Sequence, residues 1–339
     1  MPTGSKWVAP INRLAILAAS ALLLAACAQS GSVAQSGERD WQTALLRDHP
    51  LVGRIWNSHE ARFVSEAELW SAVNDARYLL LGEKHDNPDH HALQLQLLGG
   101  LLQANAVAGV VFEMLDREAD AALATLNQQE FDSSEEIRDY LQWDVEGWDW
   151  KFYGPLVDAA YSRRVPIFSG NISGADVGQI YGADPAEYPH LASVFDAPTM
   201  AQLNRDIDES HCGMLPESQF PAMLRVQQQR DFTMASAMRD AATDEAVVLI
   251  AGNYHVRQDL GVPNYLLQGD QSLTRGDILS LAFLEVQEGV VDAEEYLQRF
   301  SDIPAYDYIW FTPALTSEDY CASLRGAQAS LPVSVLARD

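Results

Sequence analysis

Gly82-Glu83-Lys84-His85 and Gly252-Asn253-Tyr254-His255 each place a histidine three residues after a glycine, and each motif closes an unbroken apolar run. The runs are Tyr78-Leu79-Leu80-Leu81 and Ala246 through Ala251, and a third run, Gly109-Val110-Val111-Phe112, closes on Glu113. Imidazole and carboxylate groups in such positions suit proton transfer near neutral pH, or the holding of a cation or a polar ligand. Two histidines and two carboxylates that converge are also a common way to hold a divalent metal. A glycine at each exit allows the sharp turn that would aim the following side chains into a crevice. One such motif is commonly structural; two copies after two apolar runs point to a shared site.

Those side chains need elements to position them. Short, continuously apolar strands separated by helical stretches specify a sheet covered on both faces. Val165-Pro166-Ile167-Phe168-Ser169 adds a strand, and Ile278–Phe283 and Tyr308–Phe311 read as edge strands. The fold class is therefore α/β, a mixed, largely parallel central sheet with helices on both faces. In open sheets of this kind ligands collect at the carboxyl ends of the strands, where Glu83, His85, Glu113 and His255 all fall. Asn87 and Pro88 read as an N-cap and first helical residue, which puts His90 and His91 in a first turn. The helix N-terminus disfavours imidazolium and biases both toward the neutral form, although His91 reads somewhat better as helix surface. His49, His59 and His190 lie in polar stretches and read as surface residues.

From Glu217 to Asp240, Phe220, Leu224, Gln227, Asp231, Met234 and Met238 recur at spacings of three and four, one face of a long helix. Gln227 and Asp231 interrupt that apolar stripe beside Arg230. Buried polar groups need partners, and either a lined pocket or an Arg–Asp pair would supply them. Another dense stretch, Trp143 to Tyr153, packs five aromatics into eleven residues, with Trp148, Trp150, Phe152 and Tyr153 close together. After Lys6, the only lysines are Lys84 and Lys151, both inside the segments singled out here.

The N-terminus carries a different signal. Lys6 and Arg13 precede an apolar run from Leu14 to Ala26, too short to span a bilayer, that ends Leu24-Ala25-Ala26-Cys27. This resembles a lipoprotein signal cut before a lipidated Cys27, and Ala28 after it resembles the outer-membrane sorting pattern. A Gly/Ser/Gln-rich tether over 28–40, with a reach on the order of 20 Å, leads to a single domain over 41–339. The formal charge is −26; the signal carries two basic residues and no acids, so the remainder stands at −28. Such a balance excludes nucleic-acid binding and adhesion to anionic lipid headgroups. Cys212 and Cys321 either pair in an oxidising compartment or stay as separate thiols.

Taken together, Leu80–Asn87 with His90-His91, Val111-Phe112-Glu113-Met114, Asn171, His211–Pro216, Gln229-Arg230-Asp231 and Gly252–Arg257 with Gly261-Val262-Pro263 resemble the ChaN-type haem-binding lipoproteins over roughly 50–315. That family belongs to the Tiki superfamily, alongside erythromycin esterase-like hydrolases. The resemblance implies haem held at a dimer interface in iron acquisition, with a tyrosine on the iron and propionates met by His and Lys. A haem or iron receptor in the outer membrane would be a further partner. Matched residue by residue, His85 or His255 and Lys84 or Lys151 meet the propionates, while Tyr153, Tyr181 or Tyr254 ligates the iron. Tyr153 comes first because Trp148 and Trp150 offer a flat surface for the porphyrin. A hydrolase reading stands beside this one. There His85, His255, Glu83 and Glu113 hold a divalent metal or transfer protons, and Arg230 clamps an oxyanion or carboxylate.

Overall fold

The structure, a computed structural model, describes Met1, Gly4, residues 39–318 and residues 320–322. Cys27, its signal and most of the tether lie outside the described residues. No helix among the described residues is long and apolar enough to cross a membrane. From Arg39 onward the chain forms one compact unit.

Eight strands make one sheet. They are β1 (Ile55–Asn57), β2 (Arg62–Val64), β3 (Tyr78–Glu83), β4 (Val107–Asp116), β5 (Ile167–Asn171), β6 (Ala246–Gly252), β7 (Ile278–Glu285) and β8 (Tyr308–Thr312). Their order across the sheet is β2-β1-β8-β7-β3-β6-β4-β5, with β1 antiparallel to its neighbours β2 and β8 and the other pairs parallel. The expected mixed, largely parallel α/β sheet is what forms. The placing of Ile278–Phe283 and Tyr308–Phe311 at an edge is corrected: β7 lies between β3 and β8, and β8 between β7 and β1. Their unbroken apolar runs suit strands covered on both faces. The edges are β5 and the three-residue β2, whose exposed Arg62 blunts its open side.

The helices follow in chain order as α1 (Glu66–Asp75), α2 (Pro88–Gln103), α3 (Asp120–Leu126), α4 (Ser134–Tyr140), α5 (Trp150–Ser162), α6 (Gly174–Gly182), α7 (Pro189–Ala192), α8 (Ala197–Ser210), α9 (Phe220–Ala241) and α10 (Val262–Gly269). Asn87 caps α2 by accepting from the N–H of Asp89 at 2.9 Å and of His90 at 3.3 Å, with Pro88 at the start. The stripe read from the sequence is the inner face of α9, where Leu224, Asp231, Met234 and Met238 are buried.

Strand side chains alternate between faces, and this alternation sorts the core. Leu79, Leu81, Val110 and Phe112 face α1, α2 and α5. Tyr78, Leu80, Val111 and Leu249 face α9 and α10. Each fully buried Leu or Phe contributes on the order of 1.5–3 kcal/mol. The same alternation sends Glu83 toward α5 and Glu113 toward α9. A disulfide between Cys212 and Cys321, with Cα atoms 5.4 Å apart, ties the turn after α8 to the segment beyond β8.

Candidate functional site

The two Gly-x-x-His segments pack against each other at the carboxyl ends of β3 and β6. Glu83 is in register with Gly252, and the ladder runs one step further as Asn253 N–H donates to Glu83 O at 2.9 Å. Both glycines are demanded by close approach. A Cβ on Gly82 would lie 2.3 Å from Val256 Cγ2, and one on Gly252 would lie 3.0 and 3.1 Å from His85 Cε1 and Nε2. The His85 ring therefore rests over the backbone of the second motif.

On the α5 side, Glu83 is buried and its Oε1 lies 2.6 Å from His85 Nδ1. The Tyr153 hydroxyl donates to the same oxygen at 3.1 Å, while Glu83 Oε2 is buried without a partner among the described residues. His85 is exposed, with 46% of its side chain open to solvent, and stands edge-on to Trp148 with ring centroids 4.9 Å apart. Burial works to lower the His85 pKa, but the hydrogen bond and charge of Glu83 outweigh it and the net shift is upward.

On the α9 side, His255 sits between two buried carboxylates. Its Nδ1 is 2.6 Å from Asp231 Oδ1 and its Nε2 is 3.4 Å from Glu113 Oε1. Gly252 N–H donates to Glu113 Oε2 at 2.7 Å, and Asn171 Nδ2 donates to Glu113 O at 2.9 Å. The register of β4 against β5 shifts between Phe112 and Asp116, an irregularity of the kind that re-aims a side chain at a site. Burial alone would lower the His255 pKa, yet Glu113 and Asp231 hold it at about 10. Burial likewise opposes ionisation of Glu113, and the charge of His255 overcomes this to hold it at about 2. For Asp231 burial prevails over His255 and raises it to about 6. The result is an alternating series, Asp231, His255, Glu113, then His85 and Glu83 across Gly252, able to hold and pass protons. Among the described residues no group of three or more His, Cys, Asp or Glu side chains is arranged to hold a metal ion.

Several expected residues take other roles. His90 is fully buried, accepting from Lys84 N–H at 2.9 Å while its Nε2 bonds Thr312 Oγ1 at 2.9 Å. Burial drives its pKa well down, so it is neutral as expected, but both nitrogens are used within the fold. His91 is not helix surface: it is buried, donates to His85 O at 3.0 Å and stacks on Phe152 at 4.8 Å. Lys84 pairs with Asp86 at 2.6 Å and Glu285 at 3.4 Å and lines a separate cavity of about 290 Å³. Lys151 is exposed, 5.3 Å above the Phe152 ring. His59 is exposed and pairs with Asp307 at 2.6 Å.

The tyrosines differ from one another. Tyr153 is 1% exposed; burial, then the charge and hydrogen bond of Glu83, push its pKa far up. It is a neutral phenol facing inward that positions Glu83, which departs from the reading of Tyr153 as a phenolate open to a ligand. The Tyr254 hydroxyl donates to Asp206 Oδ2 at 2.9 Å, and burial again raises its pKa strongly. Tyr181 is half-buried beside Ile172, Ile180 and Val226. Trp150 stacks edge-on to Trp143 and donates to Ser134 Oγ at 3.1 Å, so only Trp148 of that pair stands at His85.

Asp231 and Gln227 are partners of His255, Gln227 Nε2 lying 3.3 Å from its Nδ1. The polar break in the apolar stripe was the signal for both. Asp231 bonds the imidazole and makes no pair with Arg230. A cavity of about 950 Å³ runs beside β5 between α3, α6 and α9; Asn171 and Gln229 line it, but no residue of either Gly-x-x-His segment does. The perturbed groups mark the crevice instead.

The profile of the haem-binding uptake family of the Tiki superfamily, ChaN, matches residues 69–266, more than half of the chain. ChaN of Campylobacter jejuni, solved with cofacial haem, shares the fold at 24% identity and a TM-score of 0.59, covering 76% of this chain and 95% of that one. An erythromycin esterase in its open conformation aligns at 14% identity and a TM-score of 0.38, covering 67% and 77%. A succinoglycan biosynthesis protein aligns at 12% identity and 0.39, covering 65% and 68%. No curated protein matches the chain.

Proposed function

Because this chain belongs to the haem-binding uptake family of the Tiki superfamily, ChaN, we propose that it is a lipid-anchored protein that takes up haem at the crevice around His85. The observation that carries this reading is the exposed His85 imidazole, fixed by buried Glu83 and flanked by Trp148. Haem, when bound, supplies an iron that takes axial ligands and two propionates that seek cations.

The residues present fit such a ligand. Gly252, having no side chain, lets the His85 ring settle against the backbone and keeps its other face toward solvent. Trp148 offers apolar surface, and Lys151 stands free above Phe152, which stacks on His91 behind His85. Lys151 suits a propionate better than Lys84, which already holds two carboxylates. His255 suits it less than His85, because His255 is buried between Glu113 and Asp231. A tyrosinate from Tyr153 or Tyr254 requires the loss of a bond to Glu83 or Asp206, whereas Tyr181 makes no such bond among the described residues.

Lipidation at Cys27 would hold the protein at the outer membrane, with the tether leaving the acidic body in solvent. A second copy closing over the ligand, and an outer-membrane receptor that passes haem on, complete the reading in iron acquisition. Titrating the detergent-solubilised protein with ferric haem tests it. A saturable Soret change with a shift to dimer on gel filtration is expected; no saturable change at micromolar haem would refute it.

The Glu83–His85 pair favours a second reading, in which His85 takes a proton from water attacking an ester or amide. Hydrolysis of an activated ester that is lost in His85→Ala would support it; equal rates in the parent and variant would remove it.

A further inference from the structure

Arg230 is a charged group that neither the fold nor the crevice uses. Its Nε is sealed from solvent and has no hydrogen-bond partner among the described residues. The other arginines of α9 behave differently. Arg225 donates to the carbonyls of Ile180, Tyr181 and Ala183 at 2.9, 3.0 and 2.9 Å. Arg239 donates to Tyr265 O at 2.9 Å and to Ser236 Oγ at 2.8 Å. Those two tie α9 to its surroundings. Arg230 touches Asp231 only through space, as the weakest influence on that carboxyl. Arg230 is half-buried, and its sealed Nε, left unpaired, costs desolvation that the fold does not recover.

Helical spacing fixes where it lies. Arg230 comes three residues after Gln227 and four before Met234, so it shares their side of α9. Gln227 reaches His255, and Met234 packs on the sheet. On the adjoining flank Val226 packs with Ile172 and Ile180. Arg230 therefore stands at the rim of the crevice, between His255 and the segment that follows β5. A guanidinium presents a planar fork of donors that matches a carboxylate, and around it the crevice offers only the buried carboxylates Glu113 and Asp231, both already engaged.

We propose that Arg230 anchors a carboxylate of the bound ligand, which on the haem reading is a propionate. The inference rests on that reading and adds the residue that selects for the free acid. Detergent-solubilised full-length protein, with Arg230→Ala and Arg230→Lys, is titrated with ferric haem and with its dimethyl ester, in which both carboxylates are masked. The parent should bind haem about tenfold or more tightly than the ester, the range of a charge-assisted hydrogen bond. Arg230→Ala should lose a large part of that preference, the remainder coming from His85 and Lys151, with its ester affinity unchanged, and Arg230→Lys should restore some of it. The Ala variant should also melt no lower than the parent, because it removes an unpaired buried donor; a structural arginine would lower the melting temperature. An Ala variant that binds both ligands and keeps the parent's preference overturns the role of Arg230 and leaves the haem reading standing. A parent that binds neither ligand overturns both.

Discussion

His255→Ala removes the cation from between two buried carboxylates, and its cost can be worked from the geometry. His255, Glu113 and Asp231 are 6%, 4% and 2% exposed, and the contacts are 3.4 and 2.6 Å. Breaking a buried ion pair by deleting one partner costs about 3–5 kcal/mol, because the remaining charge stays buried. Against a total stability of roughly 5–15 kcal/mol this is a large share. At about 2–4 °C per kcal/mol, the melting temperature should fall by roughly 6–20 °C at pH 8. The His255 pKa is raised from 6.5 to about 10, so its contribution is complete below pH 6.5 and fades as pH climbs through 10. Glu113, lowered from 4.5 to about 2, contributes fully above pH 4.5 and loses this as pH falls through 2. Asp231, raised from 3.8 to about 6, opposes folding above that value and is relieved by protonation below it. The deficit in His255→Ala should therefore shrink at pH 5, where a carboxyl left without its cation takes up a proton. Thermal unfolding of the parent, His255→Ala, Asp231→Asn and the double variant at pH 5 and 8 measures both effects. A fall of less than about 2 °C at pH 8, or a larger deficit at pH 5, would refute the reasoning.

The two motif glycines should respond differently to alanine. In Gly82→Ala the new Cβ meets Val256 Cγ2 at 2.3 Å inside the packed core, and overpacking of this kind costs about 1–3 kcal/mol in a denaturant melt. In Gly252→Ala the contact is with exposed His85, which can move, so stability should change little while haem affinity falls. Tyr153→Phe should lower stability by about 1 kcal/mol through the lost bond to Glu83 and leave the haem spectrum unchanged, whereas loss of the parent's charge-transfer band would place Tyr153 on the iron. Cys27→Ser should move the protein from the outer-membrane fraction to the soluble periplasmic fraction or leave its signal uncut; fractionation unchanged from the parent would contradict a lipid anchor.

The strands that carry the motifs were legible because Tyr78–Leu81 and Ala246–Ala251 are continuously apolar, which only a doubly covered strand explains. The convergence of His85 and His255 followed from two such strands ending alike, and pairing of β3 with β6 made them neighbours. Periodicity also marked α9, and its polar interruption marked Asp231 without saying that the partner would be His255. Strand order was less legible: β7 and β8 are as apolar as β3, and nothing local separates a central strand from an edge. Residues 55–64, with two three-residue strands, are too short for alternation to register. The inward setting of Tyr153 is illegible for a reason of the same kind. An aromatic cluster in sequence does not reveal which rings face inward, and α5 turns Tyr153 to Glu83 while its first turn leaves Lys151 in solvent.

Isothermal titration of ferric haem into His85→Ala and His59→Ala, side by side with the parent, tests most directly whether the crevice is the haem site. Both histidines are exposed and both contact a carboxylate, but only His85 stands on Gly252 beside Trp148. His85→Ala should weaken binding by about tenfold or more, the scale of one charged hydrogen bond or ligand contact, while His59→Ala binds as the parent does. Equal affinities for His85→Ala and the parent, with haem still bound at saturable stoichiometry, would contradict the assignment and place haem elsewhere on the protein.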